Sequence, residues 1–165
     1  PMKMLKAAVL AAAMFGASSA NAAEMRPLVT LDMAKKMSEA CEALATKEGW
    51  KIIVAVVDRG ADLVLLHRQP DSFRISIDIA INKAKTSANI PFPTRFIEQL
   101  AFGADGKPPG LPGAAHIDGV VAFAGGLPII IGGAHSGGIG VSGATADQDE
   151  QCAQAGLDAV ADQLK

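Results

Sequence analysis

"GGIGVSGATADQDE", residues 137–150, decides the fold because it joins a glycine-rich strand pattern to the start of a helix. Gly138, Gly140 and Gly143 fit the G-x-G-x-x-G pattern of dinucleotide-binding loops. Such a site needs a second parallel strand after the helix, with an acidic residue near the end of that strand. Residues 146–165 show only a helical pattern. Because glycines within a strand more often mark a bulge or close backbone packing, the sequence favours a structural role over a phosphate site.

The helix that follows has a recognisable start. Thr145 is predicted to be its N-cap, and Gln148 occupies the capping-box position. Asp147, Asp149 and Glu150 fall in the first turn, where carboxylates interact favourably with the helix dipole. Neighbouring carboxylates also suit iron, manganese or calcium ions. The sequence therefore leaves two interpretations of these three residues open, a surface metal site and a purely structural role.

Short apolar runs before this helix predict antiparallel strands. There are three of them, "VVAFA" (120–124), "LPIII" (127–131) and "HSGGIGV" (135–141). Glycine pairs separate them at hairpin spacing. Further upstream, residues 51–57 and 63–67 predict two more strands, which the turn "DRGAD" joins. The sequence therefore predicts a five-stranded antiparallel sheet.

Helical patterns surround these strands. Apolar residues recur at three- and four-residue spacing after Thr30, which is placed to cap a helix that ends at Gly49. Residues 72–88 alternate like a strand, but their length and their alanines favour a helix. A short helix is predicted over residues 94–100. The order of elements predicts an α+β domain with helices on the faces of the sheet.

The first 22 residues have the pattern of a secretory signal peptide. Lys3 and Lys6 precede an apolar stretch from residue 7 to 15, and Ala20-Asn21-Ala22 forms an A-x-A cleavage site. Pro1 precedes Met2, as an addition from cloning would. The apolar stretch is too short to span a bilayer. We therefore expect a periplasmic or secreted protein, free of the membrane after cleavage, with one domain over residues 23–165.

Composition excludes one class of partner and leaves a question about the cysteines. The chain has a net charge of −2, only 4% aromatic residues and no basic stripe with interleaved aromatics, so a nucleic-acid surface is not expected.

Cys41 and Cys152 would meet an oxidising compartment after export, where a disulfide could persist. Two buried thiols acting as small apolar groups are the alternative.

Four segments resemble the GlcG/HbpS family of haem-binding, haem-degrading proteins. They are "KIIVAVVDRGADLVLLHRQPDS" (51–72), "IDIAINKAKTSA" (77–88), "GGLPIIIGG" (125–133) and "GGIGVSGATADQDEQCA" (137–153). The resemblance runs from about residue 31 to 160. It implies a three-layer, profilin-like α-β-α sandwich around a five-stranded antiparallel sheet. It also implies homo-oligomers, from dimers up to an octamer.

The resemblance makes haem or iron the expected ligand. Haem needs an apolar slot, an axial ligand and cations near its propionates. Among the three histidines of the chain, His67 ends a strand beside Arg68, and His116 lies in a loop that could fold over a planar ligand. Both histidines are candidate iron ligands, and Arg68 is a candidate propionate partner. His135 is expected to be exposed at a strand start.

A lysine-alanine-x-threonine segment adds two candidates. The resemblance implies that Thr86 could coordinate haem iron through its hydroxyl and that Lys83 could meet a propionate. A buried ion pair between Lys83 and Asp58 is the structural alternative. No Ser-His-Asp arrangement can be assigned from spacing, so no catalytic residue is expected.

These observations lead to one main hypothesis and two alternatives. The main hypothesis is a periplasmic, oligomeric haem- or iron-binding protein that acts as a carrier, scavenger or sensor accessory. The first alternative is an enzyme that degrades haem or processes a small carboxylate. The second is a cobalamin-associated binding module.

Overall fold

Four α-helices and four strands make up residues 25–165, which the computed structural model describes. The predicted signal peptide lies outside the described residues. In chain order the elements are α1 (Leu31–Glu48), β1 (Ile53–Asp58), β2 (Leu63–Arg68), α2 (Ser76–Asn89), α3 (Thr94–Phe102), a 3-10 helix (Pro112–His116), β3 (Gly126–Ile131), β4 (Ala134–Ser142) and α4 (Ala146–Asp158).

The strands form one antiparallel sheet in the order β2-β1-β4-β3. The α+β prediction is confirmed, but the described residues contain four strands in this sheet, not five. "VVAFA" (120–124) is a loop. The N–H of Val121 donates to Thr86 Oγ1 at 3.0 Å, and the N–H of Ala124 donates to Glu98 Oε2 at 3.2 Å. Side chains from two helices thus use the donors that a fifth strand would need.

Helices cover both faces of the sheet. Helices α1 and α4 pack on one face, around a core that includes Met37, Val54 and Ile139. Helix α2 packs on the other face, against Ile53 and Ala55 of β1. Side chains alternate in direction along β1, so this one buried strand supplies both cores.

Close packing explains the glycine pattern of the opening stretch. A Cβ at Gly138 would lie 2.2 Å from the carbonyl oxygen of Ala84, and one at Gly140 would lie 2.2 Å from that of Ala80. At these two positions no side chain fits between β4 and the backbone of α2. The interpretation of these glycines as structural is therefore confirmed.

Helix ends follow the predicted caps. Thr30 Oγ1 accepts from the N–H of Met33, and Gly49 closes α1 with φ 76°. Thr145 and Gln148 form the complete capping box at the start of α4. Helix α2 begins at Ser76, four residues later than predicted, and α3 runs to Phe102.

A disulfide joins the two helices of the first core. Cys41 of α1 and Cys152 of α4 are bonded, with their Cα atoms 4.6 Å apart. Of the two alternatives from the sequence, the structure shows the disulfide. Within residues 25–165, no helix combines the length and apolar character that crossing a bilayer requires.

Candidate functional site

His67 lies near the end of β2, an edge strand of the sheet. Its side chain is 45% exposed, and its Nδ1 lies 2.8 Å from Glu42 Oε1 on α1. A hydrogen bond at Nδ1 fixes the plane of the imidazole ring and leaves Nε2 as the second ring nitrogen. This is the arrangement in which proteins commonly present a histidine to a metal.

Glu42 is itself held in place. Oε1, the atom that faces His67, also accepts a hydrogen bond from the hydroxyl of Ser38, which lies one turn earlier on α1 and is fully buried. Next to this pair, Gln69 accepts from the N–H of Ile52 through Oε1 and donates to Thr46 Oγ1 through Nε2. The hydrogen-bonded series Ser38–Glu42–His67 is therefore anchored on α1. Gln69 connects the end of β2 to the same helix.

Lys83 lies on α2, on the opposite face of the sheet, and reaches through to α4. Its ammonium lies 2.8 Å from Asp149 Oδ2 and 2.9 Å from the carbonyl oxygen of Val141, and 4.6 Å from the centre of the Phe123 ring. The prediction of Asp58 as its partner is wrong. Asp58 instead accepts from the backbone of the β1–β2 turn.

The side chain of Lys83 can reach Asp149 because strand β3 begins only at Gly126. The N–H of Val141 donates to the carbonyl oxygen of Gly125, but Gly125 has φ 121° and lies outside the strand. The carbonyl oxygen of Val141 accepts from Lys83 instead. A Cβ at Gly125 would lie 2.5 Å from Lys83 Nζ, so only glycine leaves room for the ammonium.

Burial dominates the electrostatics of this pair. Loss of hydration lowers the pKa of Lys83 from its ordinary value of 10.5, and the nearby charge of Asp149 only partly opposes this. Loss of hydration likewise raises the pKa of Asp149 above 3.8, against the effects of Lys83 and of the N–H of Ala144. Burial therefore makes the charged form of each group less favourable than it is in water, and the opposite charge of the partner offsets this effect only in part.

Thr86 and His116 lie on the α2 side of the molecule. Thr86 is buried, and its hydroxyl donates to the carbonyl oxygen of Asn82 at 2.7 Å and accepts from the N–H of Val121. His116 ends the 3-10 helix, which packs on α3, and its side chain is exposed. Thr86 thus holds the loop that replaces the fifth strand.

The predicted ligand residues do not meet within the described chain. His67 and Arg68 lie on strand β2, at one edge of the sheet. His116 lies beside α3, which packs against β3 and α2 at the other edge. His135 is half-buried, with Nε2 2.8 Å from the carbonyl oxygen of Ser87, so the expectation that it is exposed is wrong.

Each of the three acidic residues of α4 pairs with a basic side chain. Asp147 and Glu150 both bind Arg95 of α3, whereas Asp149 binds Lys83. Within residues 25–165, no group of three or more His, Cys, Asp or Glu side chains is arranged to hold a metal ion. The carboxylates therefore connect α4 to α2 and α3.

Two clefts flank α3. One has a volume of about 420 Å³ and is lined in part by Leu100 and Lys107. The other has a volume of about 340 Å³ and lies between Phe92 and Glu150. Both share Phe96 and Gln99. Volumes of about 300–1,000 Å³ are typical of small-molecule sites.

Comparison with known proteins identifies the family. A family model described as "Haem degrading protein HbpS-like" matches residues 29–158. The chain belongs to the HbpS-like family. The resemblance to GlcG and HbpS read from the sequence is confirmed.

Individual relatives agree with this assignment. An uncharacterized 15.0 kDa protein from the dhaT-dhaS intergenic region of Citrobacter freundii is 36% identical over 145 residues, covering 84% of this chain and 96% of the relative. A double mutant of Streptomyces reticuli HbpS is 34% identical, with a TM-score of 0.72 over 93% of this chain and 97% of its own. The haem complex of PduOC shares the fold at 23% identity, with a TM-score of 0.72 over 81% of this chain and 95% of that one.

Sequence reasoning missed the partners that orient the site of this HbpS-like protein. Glu42 lies 25 residues before His67, and Asp149 lies 66 residues after Lys83. The spacing of Ser38 and Glu42 at i and i+4 on one helix was the available signal. Nothing in the local sequence linked them to His67.

Proposed function

We propose that this HbpS-like protein binds haem, with Nε2 of His67 as an axial ligand. The observation that carries the proposal is the 2.8 Å contact between His67 Nδ1 and Glu42 Oε1. A ligating histidine almost always donates its other N–H to a carboxylate, a carbonyl or water, which fixes the ring and raises its basicity. Ser38 adds a further hydrogen bond to the same carboxylate oxygen.

The surroundings of His67 supply other parts that haem requires. Arg68 follows directly in the chain, is exposed, and offers a cation for a propionate. Leu63, Phe73 and Ile75, on β2 and just after it, are each at least 50% exposed. In this proposal these exposed apolar side chains contact the haem or a second subunit.

A second copy of the chain completes the slot in this proposal. Strand β2 is an edge of the sheet, and edge strands readily pair with another chain. We therefore propose a homo-oligomer, a dimer or a higher form up to an octamer, in which haem lies between subunits. Haem is favoured over bare iron, because Asp147, Asp149 and Glu150 are already paired with cations of the protein.

The comparisons support the same ligand. The family model carries the description of a haem-degrading protein, and PduOC, which shares the fold, was solved as a haem complex. Those statements concern the family and PduOC. For this chain the proposal depends on His67.

Hemin titration tests the proposal. The wild type should give a saturable Soret shift. His67→Ala should abolish that shift, and His116→Ala, the matched control at the other edge of the sheet, should retain it. Loss of the shift in His116→Ala alone would place the ligand beside α3, and absence of a wild-type shift would refute haem binding. A corrinoid that bound more tightly than hemin would favour the cobalamin-associated alternative.

The family description also favours a second function, haem degradation. In this case haem is the substrate, and the protein holds it while peroxide, or dioxygen together with an added reductant, oxidises the porphyrin ring. Ascorbate or peroxide should then bleach the Soret band of the bound haem and release iron faster than from free hemin. Equal rates for bound and free hemin would show that the protein binds haem but does not promote its degradation.

We further propose that the protein works after export, in the periplasm or outside the cell. The Cys41–Cys152 disulfide supports this compartment, because disulfides persist where the surroundings are oxidising. Expression of the full chain in a bacterial host should give a periplasmic product that begins at Ala23. Replacement of residues 1–22 by a single Met should leave the product in the cytoplasm, and mass spectrometry of the two fractions decides between the locations.

A further inference from the structure

The phenylalanines of the described chain are unusually exposed. Each phenylalanine in residues 25–165 is at least 39% exposed, although this residue type is among those most often buried in protein cores. Phe73 lies just after β2, where haem or a second subunit is proposed to bind. Phe92, Phe96 and Phe102 lie on helix α3 or just before it and belong to a different part of the surface.

Helix α3 has apolar residues on two faces. Its inner face consists of three buried residues, Thr94, Ile97 and Ala101. On its outer face, Phe96, Gln99 and Phe102 follow each other at a spacing of three residues and are all exposed, so they form one row. Phe92 extends the row, because its ring lies 4.7 Å from that of Phe96. A helix at the surface of a globular protein ordinarily has one apolar stripe, so this second row indicates a second contact.

The row of Phe92, Phe96, Gln99 and Phe102, which we call the α3 surface, contains no charged side chain. The adjacent Arg95 is bound by two carboxylates of the same chain. Nucleic acid or an anionic lipid surface would require available cations. An uncharged aromatic surface instead fits a second copy of itself, because the contact opposes no like charges.

The size and shape of the α3 surface also suit a second copy. A fully covered aromatic side chain buries about 150–250 Å², so the exposed parts of the three rings amount to roughly 200–400 Å². One partner of a standard interface buries about 800 Å², and the rings would form the apolar core of such a contact. Phe96 and Gln99 also line the two clefts beside α3. The same surface therefore offers both protruding rings and grooves that can receive them.

We infer that two copies of the chain associate through the α3 surface, with the two helices antiparallel and the two-fold axis beside Gln99. Phe96 and Phe102 lie three residues on either side of Gln99, so this axis sets Phe96 of each copy against Phe102 of the other. Helix α3 packs against α2 and β3, whereas His67 lies on β2, at the opposite edge of the sheet. The contact is therefore separate from the one proposed for haem, and either can fail alone.

Sedimentation of the disulfide-bonded protein, without haem and over a range of concentrations, tests this inference. The wild type should be an oligomer. Phe102→Glu should lower the number of subunits at least twofold, because it buries an unpaired carboxylate in the contact. Leu31→Glu, which replaces a 49% exposed residue in the first turn of α1, is the matched control and should keep the wild-type mass. Phe96→Glu provides a second test if Phe102→Glu does not fold.

Three results would overturn the inference. They are a monomeric wild type, an unchanged mass in folded Phe102→Glu and Phe96→Glu, and an equal loss of mass in Leu31→Glu. Absence of hemin binding would refute the proposed function but would not change the mass of the haem-free protein, so the two failures are distinguishable.

A single cysteine then locates the axis. Cys41 and Cys152 are bonded to each other, and the chain has no other cysteine, so Gln99→Cys introduces one free thiol. A residue beside a two-fold axis faces its own copy, and a disulfide requires Cα atoms within about 7 Å. Oxidation by dioxygen with a copper catalyst should therefore convert Gln99→Cys to a covalent dimer much faster than Lys36→Cys, a control on the exposed face of α1. Equal rates for the two variants would refute the antiparallel arrangement.

Discussion

Lys83 Nζ lies 2.8 Å from Asp149 Oδ2, and the two side chains are 0% and 3% exposed. The pair joins α2, on one face of the sheet, to α4, on the other face. It passes beside the start of β3, where Gly125 and the loop replace a fifth strand. The same contact therefore holds the two helical layers together at the place where β3 begins.

Asp149→Asn should destabilise the protein strongly. The amide can still accept from the N–H of Ala144, but it leaves the ammonium of Lys83 buried without a counter-charge. Breaking a buried pair in this way costs about 3–5 kcal/mol. Urea unfolding followed by circular dichroism measures the loss. Asp158→Asn, an exposed position of α4, is the control and should stay within about 0.5 kcal/mol of the wild type; equal losses would contradict the prediction.

The pair should also give a distinctive dependence of stability on pH. The raised pKa of Asp149 means that the native state holds this proton longer, so its stabilising contribution is lost as pH rises from about 3.8 through the raised value. The lowered pKa of Lys83 means that its contribution is lost as pH falls from about 10.5 through the lowered value. The stability of the wild type minus that of Lys83→Met/Asp149→Asn should therefore pass through a minimum between about pH 3.8 and about pH 10.5.

Urea unfolding at a series of pH values measures this difference. The double variant removes both titrating groups, so the contributions of the other residues largely cancel. A difference in stability that is constant with pH, or that has a maximum in the same interval, would show that burial does not control the pKa values of Lys83 and Asp149.

The sequence predicted the elements whose patterns are local. The helices that begin after Thr30 and Thr145, the β1–β2 hairpin and the structural role of the glycines were all correct. The fifth strand was not, because its apolar pattern is typical of a strand while its N–H donors are used by Thr86 and Glu98, which no local signal reveals.

The same limit applies to the candidate site. His67 could be selected by residue type and by its place at the end of a strand. Its partner Glu42 could not, because the contact depends on how α1 packs across the sheet. Lys83 was correctly predicted to have a buried acidic partner as the structural alternative, but the chain brings Asp149 to it and not Asp58.

Removal of the disulfide should lower stability. Cys41 and Cys152 are separated by 111 residues, so the bond restricts a long loop of the unfolded chain. Cys41→Ala/Cys152→Ala should lower the free energy of unfolding by about 2–5 kcal/mol. Dithiothreitol should destabilise the wild type by a similar amount and leave the double variant unchanged. An unfolding midpoint of the wild type that does not respond to complete reduction would contradict this expectation.

Gly140→Ala should disrupt the packing of α2 on β4. The new Cβ would lie 2.2 Å from the carbonyl oxygen of Ala80 and 2.4 Å from the amide nitrogen of Ala84. Both contacts are backbone atoms, so the helix must move, and overpacking of this kind costs about 1–3 kcal/mol or more. Gly113→Ala, where no atom lies within 4 Å of the new Cβ, is the matched control. Thermal unfolding should separate the two variants, and similar melting temperatures would argue against close packing as the role of Gly140.

Glu42→Ala should weaken haem binding without removing the ligand. The variant leaves Nδ1 of His67 without its carboxylate partner, and loss of such a partner typically lowers metal affinity about 10–100-fold. Hemin titration should show a midpoint shifted by at least about tenfold. Glu39→Ala, on the exposed face of the same helix, should bind like the wild type. A midpoint that is unchanged in Glu42→Ala would show that Glu42 does not position the histidine.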